Sequence, residues 1–150
     1  MIGLAEASIR IEAPQREVFD FFPTEQGLRS WMAKEVAVDL RPGGRWRWVH
    51  DNDFAVSGTY LEVEPYGRVM FTYGWESGPF ADMGSGSTIV EVRFVPTDFG
   101  TEVTVTHTGV PEDFLQAHLA GWTYFLGLLA EVALGRDAPT TRLPEPSPHD

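Results

Sequence analysis

Two histidines stand where side-chain chemistry could be done. His107 closes a stretch of alternating polar and apolar residues, and His118 lies one turn before Trp122 in the apolar run HTGVPEDFLQAHLAGWTYFLGLLAEVALG. Imidazole is the side chain whose ordinary pKa lies closest to neutrality, so a facing pair could exchange protons with a substrate or hold a metal. Zinc usually takes three or four protein ligands, and no third inward ligand accompanies these two. The competing reading is structural: each histidine is neutral and hydrogen-bonded, locking a strand-to-helix corner with Glu112 or a backbone carbonyl as partner. Asp51 and Asp53 in HDND have a faint metal-loop spacing, but a turn uses the same residue types.

Other chemistries find little footing. The chain has no cysteine, which removes disulfides, thiolate metal sites and thiol nucleophiles. No Ser-His-Asp spacing, phosphate-cradling glycine loop or inward carboxylate pair stands out. We therefore assign no catalytic residue, no metal and no cofactor. A cofactor-free cyclase or lyase, with His107 or His118 as base and Tyr73 as donor, is the enzymatic alternative to simple binding.

Charge narrows the partners. With 22 acidic against 11 basic residues the formal net charge is −11, which repels phosphate backbones and anionic headgroups. Nucleic acid and membrane insertion are not expected. The start MIGLAEASIRIEAP has Glu6 where a signal peptide would be apolar, and no window offers a membrane span, so a cytoplasmic location is expected.

The elements that must position these residues follow from periodicity. Ser8 to Ile11 alternates, and Pro14 opens a short helix, QREVFDFF, expected to bury Val18, Phe21 and Phe22. A second short helix spans Thr24 to Met32. From Lys34 the period becomes two. RWRWV puts Trp46 and Trp48 on one face with Arg45 and Arg47 opposite, and HDND turns the chain. Val69, Phe71, Tyr73 and Trp75 then share a face. ESGPFADMGSGS is the longest break, a connection or a gate with Phe80 and Met83 as latches.

Val90, Val92 and Phe94 form the next stripe, followed by Val103, Val105 and His107 after a hairpin turn. A long helix from Pro111 to Gly135 ends the ordered pattern. At 100° per residue, Phe114, Leu115, Trp122, Phe125, Leu129 and Val132 fall within about 60° of His118. His118 should thus face the sheet. Gly121, on the edge of that stripe, costs roughly 1 kcal/mol of helix and should allow closer approach of the sheet. Strands joined by short connections make an antiparallel meander, and its apolar face needs the terminal helix as cover.

The segments IEAPQREVFDFF, LRPGGRWRW, GTYLEVEPYGRVMFTYGWE, STIVEVRFVPTDFGTEVTVTHTGVP and HLAGW carry a resemblance to a known group. In this order they resemble the START/SRPBCC (birch-pollen-allergen-like) superfamily. Within it, the chain is most similar to the family named for the C-terminal domain of the activator of heat-shock-protein-90 ATPase. The resemblance implies an α+β helix-grip fold: a curved antiparallel sheet of about six or seven strands around a long C-terminal helix, with two short helices after the first strand. It implies one such domain over residues 1–137, with 138–150 as a flexible proline-rich tail.

The resemblance also implies an internal, largely apolar cavity and often a small hydrophobic ligand, since relatives include lipid and polyketide binders, cyclases and a chaperone-activating domain. The chaperone activators carry a further N-terminal domain that this chain does not show, so heat-shock-protein activation is not the expected role. We expect a small hydrophobic or amphipathic molecule to bind between sheet and helix. Trp48, Phe71, Tyr73, Trp75, Phe94 and His107 would form the sheet side, and His118, Trp122 and Phe125 the helix side, with the histidines and Tyr73 orienting a polar group. A co-chaperone-like interaction module is the remaining alternative, and homodimerisation is left open.

Overall fold

A computed structural model of the chain describes residues 2–136, so the tail expected at 138–150 lies outside the described residues. The first strand, β1 (Ile2–Ile11), is followed by two short helices, α1 (Gln15–Asp20) and α2 (Glu25–Trp31). Then come β2 (Glu35–Val38), β3 (Arg45–Val49), β4 (Ala55–Glu64), β5 (Arg68–Trp75), β6 (Thr88–Thr97) and β7 (Gly100–Pro111). The long helix α3 (Glu112–Ala133) closes the order.

All strands form one seven-stranded antiparallel sheet in the order β1-β7-β6-β5-β4-β3-β2. Six neighbour pairings serve seven strands, and five of them join strands consecutive in the chain. The sixth brings β1 beside β7, and α1 and α2 carry the chain from that edge of the sheet to the other. Register shifts in β1 at Gly3/Leu4 and in β4 at Tyr60/Glu62 bend the sheet locally. The result is the helix grip: a curved sheet with α3 in its concave side. Among the described residues no helix is long and apolar enough to cross a membrane.

Alternation decides what the sheet buries. Val69, Phe71, Tyr73 and Trp75 of β5 all point inward, as do Trp46 and Trp48 of β3 and Val103, Val105 and His107 of β7. From the other side α3 presents Trp122, Phe125, Leu126 and Leu129, all buried. The two short helices plug one end with Phe22, Leu28 and Trp31, and the Trp31 indole N–H donates to the Phe21 carbonyl at 2.9 Å.

One expectation in α1 is corrected. Phe19 rather than Phe21 is buried, because the helix ends at Asp20 and Phe21 leaves it at the C-cap, half-exposed. Phe19 instead packs edge-on to Phe94, with ring centres 5.1 Å apart.

Candidate functional site

Between β3, β5 and α3 lies a cavity of about 390 Å³. Its sheet wall is Trp48, Tyr73 and Trp75. The helix wall is His118, Trp122 and Phe125 with the small residues Ala117, Ala120 and Gly121 between them. Around the rim stand His50, Asn52 and Phe54 from the β3–β4 turn and Pro79 and Phe80 from the β5–β6 loop, with Gln116 and Met32 completing the boundary. None of these residues carries a formal charge.

Gly121 corrects a second expectation. A Cβ built there would meet nothing within 4 Å, so this glycine does not bring helix and sheet together. It leaves space beside the cavity.

The β5–β6 loop is fastened across the end of β5. Trp75 donates its backbone N–H to the Met83 carbonyl at 2.6 Å, and Met83 is buried. At Gly74 a Cβ would come within 1.6 Å of the Gly84 carbonyl oxygen, so only glycine permits this crossing. Phe80 reaches back over the cavity rim, its ring 4.8 Å from His118, 5.2 Å from Phe114 and 5.3 Å from Trp75.

The two histidines that opened the sequence reading each pair with a tryptophan. Trp75 Nε1–H donates to His118 Nε2 at 2.9 Å, and His118 Nδ1 lies 2.8 Å from the Phe114 carbonyl. A carbonyl only accepts, so the His118 proton sits on Nδ1. Trp122 Nε1–H donates to His107 Nδ1 at 3.1 Å, which leaves His107 Nε2–H to donate to Thr88 Oγ1 at 2.8 Å. Thr88 in turn donates to the Tyr73 carbonyl at 2.7 Å.

Each imidazole is therefore held in one neutral tautomer with both nitrogens engaged. Their ring centres are 5.5 Å apart. Burial pushes His107 down to about 3, with His118 nearby adding to the effect. Burial also lowers His118, partly offset by its bond to the Phe114 carbonyl. Neither has a lone pair free to receive a proton or a metal. Among the described residues no group of three His, Asp or Glu side chains comes together as a metal site. Glu112, considered from the sequence as a histidine partner, is exposed and takes no part.

The grip and the element order agree with a comparison against known families. Residues 12–133 match the family described as Activator of Hsp90 ATPase homolog 1-like protein. The chain belongs to that family. Among solved structures, DynU16, a protein in the dynemicin biosynthetic locus, is similar at 19% identity and TM-score 0.78 over 93% of this chain. The chain spans 50% of the length of DynU16. The Aha1 dimer from Colwellia psychrerythraea is 18% identical with TM-score 0.74, over 87% of this chain and 96% of that one. CalU16 from Micromonospora echinospora is 23% identical with TM-score 0.71, over 93% and 86%. At these identities the likeness is one of fold. A comparison with curated proteins finds no match.

In this member of the Hsp90 ATPase activator homolog family, the residues singled out from sequence divide into two layers. Trp48, Tyr73, Trp75, His118, Trp122 and Phe125 line the cavity. Phe71 and Phe94 do not. They are fully buried behind it, Phe71 against Trp46 at 5.2 Å and Phe94 against Phe19 and Phe22. His107 also stands one layer back, tied to the wall through Trp122.

The residue missed is His50. HDND has the residue types of a turn, yet Trp46, Trp48 and His50 share a parity, and the alternation continued by one step points His50 inward. It is 2% exposed. The turn that seats it is tight: His50 N–H donates to the Phe54 carbonyl at 2.9 Å and Asp53 takes a positive φ of 71°. Lys34 pairs with Asp53 to hold the turn's outer side.

Proposed function

We propose that this protein binds a small hydrophobic or amphipathic molecule in the cavity between sheet and α3, and holds it without transforming it. The observation that carries this reading is the cavity itself: about 390 Å³ of space walled by indole, phenol and phenyl rings, within the size range of small-molecule sites. Aromatic walls supply affinity through apolar area and ring contacts. Trp48, Tyr73, Trp75, His118, Trp122 and Phe125 would touch the ligand, with Phe71, Phe94 and His107 backing them.

Binding is favoured over the cyclase or lyase alternative for a reason of protonation. A general base needs a lone pair within reach of substrate and a pKa near the working pH. His107 and His118 offer neither, since their acceptor nitrogens are taken by tryptophan N–H groups and burial depresses both.

Native mass spectrometry of the protein purified from its own host tests the reading. An extra mass that is released on denaturation is expected. A bare mass that stays bare after incubation with lipids and aromatic compounds would overturn it and favour an interaction module.

A further inference from the structure

Resting on that binding reading, we propose that His50 determines the specificity of the cavity, its Nε2 accepting a hydrogen bond from an uncharged ligand that bears a hydroxyl group. The site then discriminates against carboxylates of the same shape.

The proton on His50 is placed by its neighbour. His50 Nδ1 lies 3.1 Å from the Met32 carbonyl, which can only accept, so Nδ1 carries the hydrogen and Nε2 keeps its lone pair. The ring is clamped in orientation, stacked on Phe125 at 5.5 Å and tilted against Trp75 at 5.6 Å. His107 and His118 spend both nitrogens on protein partners. Among the described residues no hydrogen bond reaches His50 Nε2, although His50 lines the cavity.

A second group without a partner belongs to the sheet wall. The Trp48 indole N–H is buried without any acceptor among the described residues, and Trp48 also lines the cavity. A ligand hydroxyl group can donate to the lone pair on His50 Nε2.

Charge supplies the discrimination. No lining residue is cationic, and burial holds His50 down to about 4 despite the opposing influence of its Met32 bond and of Asp51. At neutral pH the ring is therefore an acceptor and not a counter-ion. A carboxylate brought into this space would be desolvated with no positive partner.

Equilibrium binding of 2-naphthol, naphthalene and 2-naphthoate to the whole protein at pH 7 separates the outcomes. Naphthol is expected to bind roughly tenfold more tightly than naphthoate, and to lose roughly tenfold in His50→Phe, the worth of one buried hydrogen bond. Naphthalene should bind that variant at least as well as the wild type. Naphthoate binding as tightly as naphthol, or naphthol indifferent to His50→Phe, overturns the proposal while leaving cavity binding intact. Failure of all three probes to bind overturns the cavity reading beneath it.

If His50→Phe does not fold, imidazole ¹⁵N resonances of the wild type decide the matter. Naphthol should move the His50 Nε2 signal most, with a smaller change at His118, which also lines the cavity, and none at His107. A shift confined to His118 would overturn the assignment.

Discussion

The β7–α3 side of the cavity and the β3–β4 turn both carry buried, neutral histidines, and they use them differently. On the β7–α3 side His107 and His118 are each bonded through both nitrogens, to Trp122 and Thr88 in one case and to Trp75 and Phe114 in the other. At the β3–β4 turn His50 gives one nitrogen to Met32 and keeps the other. Burial and depressed basicity are common to all three, so neither property separates a structural histidine from a recognising one. The count of engaged nitrogens does. The paired tryptophans turn the imidazoles of His107 and His118 into rivets between β5, β7 and α3, while the single bond at His50 leaves an atom to spare.

Acidification strikes both regions and should produce the largest effect. The unfolded chain binds a proton on each histidine near the ordinary value of 6.5, whereas folded His50 resists until about 4 and folded His107 until about 3. Stability is therefore complete above pH 6.5 and falls as pH drops through the window below it. The slope reaches up to about 1.4 kcal/mol per pH unit for each group. Urea midpoints measured at pH 7 and pH 5 check this, and a flat profile would mean that the rings are not held neutral.

Truncation distinguishes the two regions. His107→Ala strands the Trp122 N–H, frees Thr88 and opens a void, so a loss of about 2–4 kcal/mol is expected from chemical denaturation. His50→Ala breaks one bond beside existing space and should cost about 1 kcal/mol. Equal losses at the two positions would dissolve the contrast. The smallest change is expected at Gly121, whose missing side chain faces open space: Gly121→Ala should raise stability by about 1 kcal/mol through helix propensity alone. A destabilised variant would show that the space there is filled.

The grip was legible because alternation is a local signal. The stripe Val69, Phe71, Tyr73 and Trp75 can be read off neighbouring residues, and so can the inward faces of Trp46, Trp48 and His107. Pairing is not local. The Trp75–His118 bond joins residues 43 apart, and nothing in either segment names the other. The sheet order suffers likewise, since alternation makes a strand of β1 without saying that β7 is its neighbour.

Smaller misreadings have definite causes. A helix ending two residues early moves burial from Phe21 to Phe19. An HDND sequence that turns the chain hides a histidine still in step with the strand before it. Gly121 looked like a contact because a helical glycine serves close packing or open space equally well from sequence alone.

The seam between β1 and β7 has a consequence in time. Ser8 meets Thr104 across 96 residues, and Thr106 meets Glu6 across 100. At the usual speed of synthesis the first strand waits roughly 5–20 s for its partner to be made. Its unpaired backbone is an invitation to other strands throughout that interval. Beside the exposed Leu4, the positions Glu6, Ser8 and Arg10, polar and of mixed charge, make the waiting strand a poorer template for wrong pairing. The polar face that later meets solvent thus first serves as the nascent chain's protection.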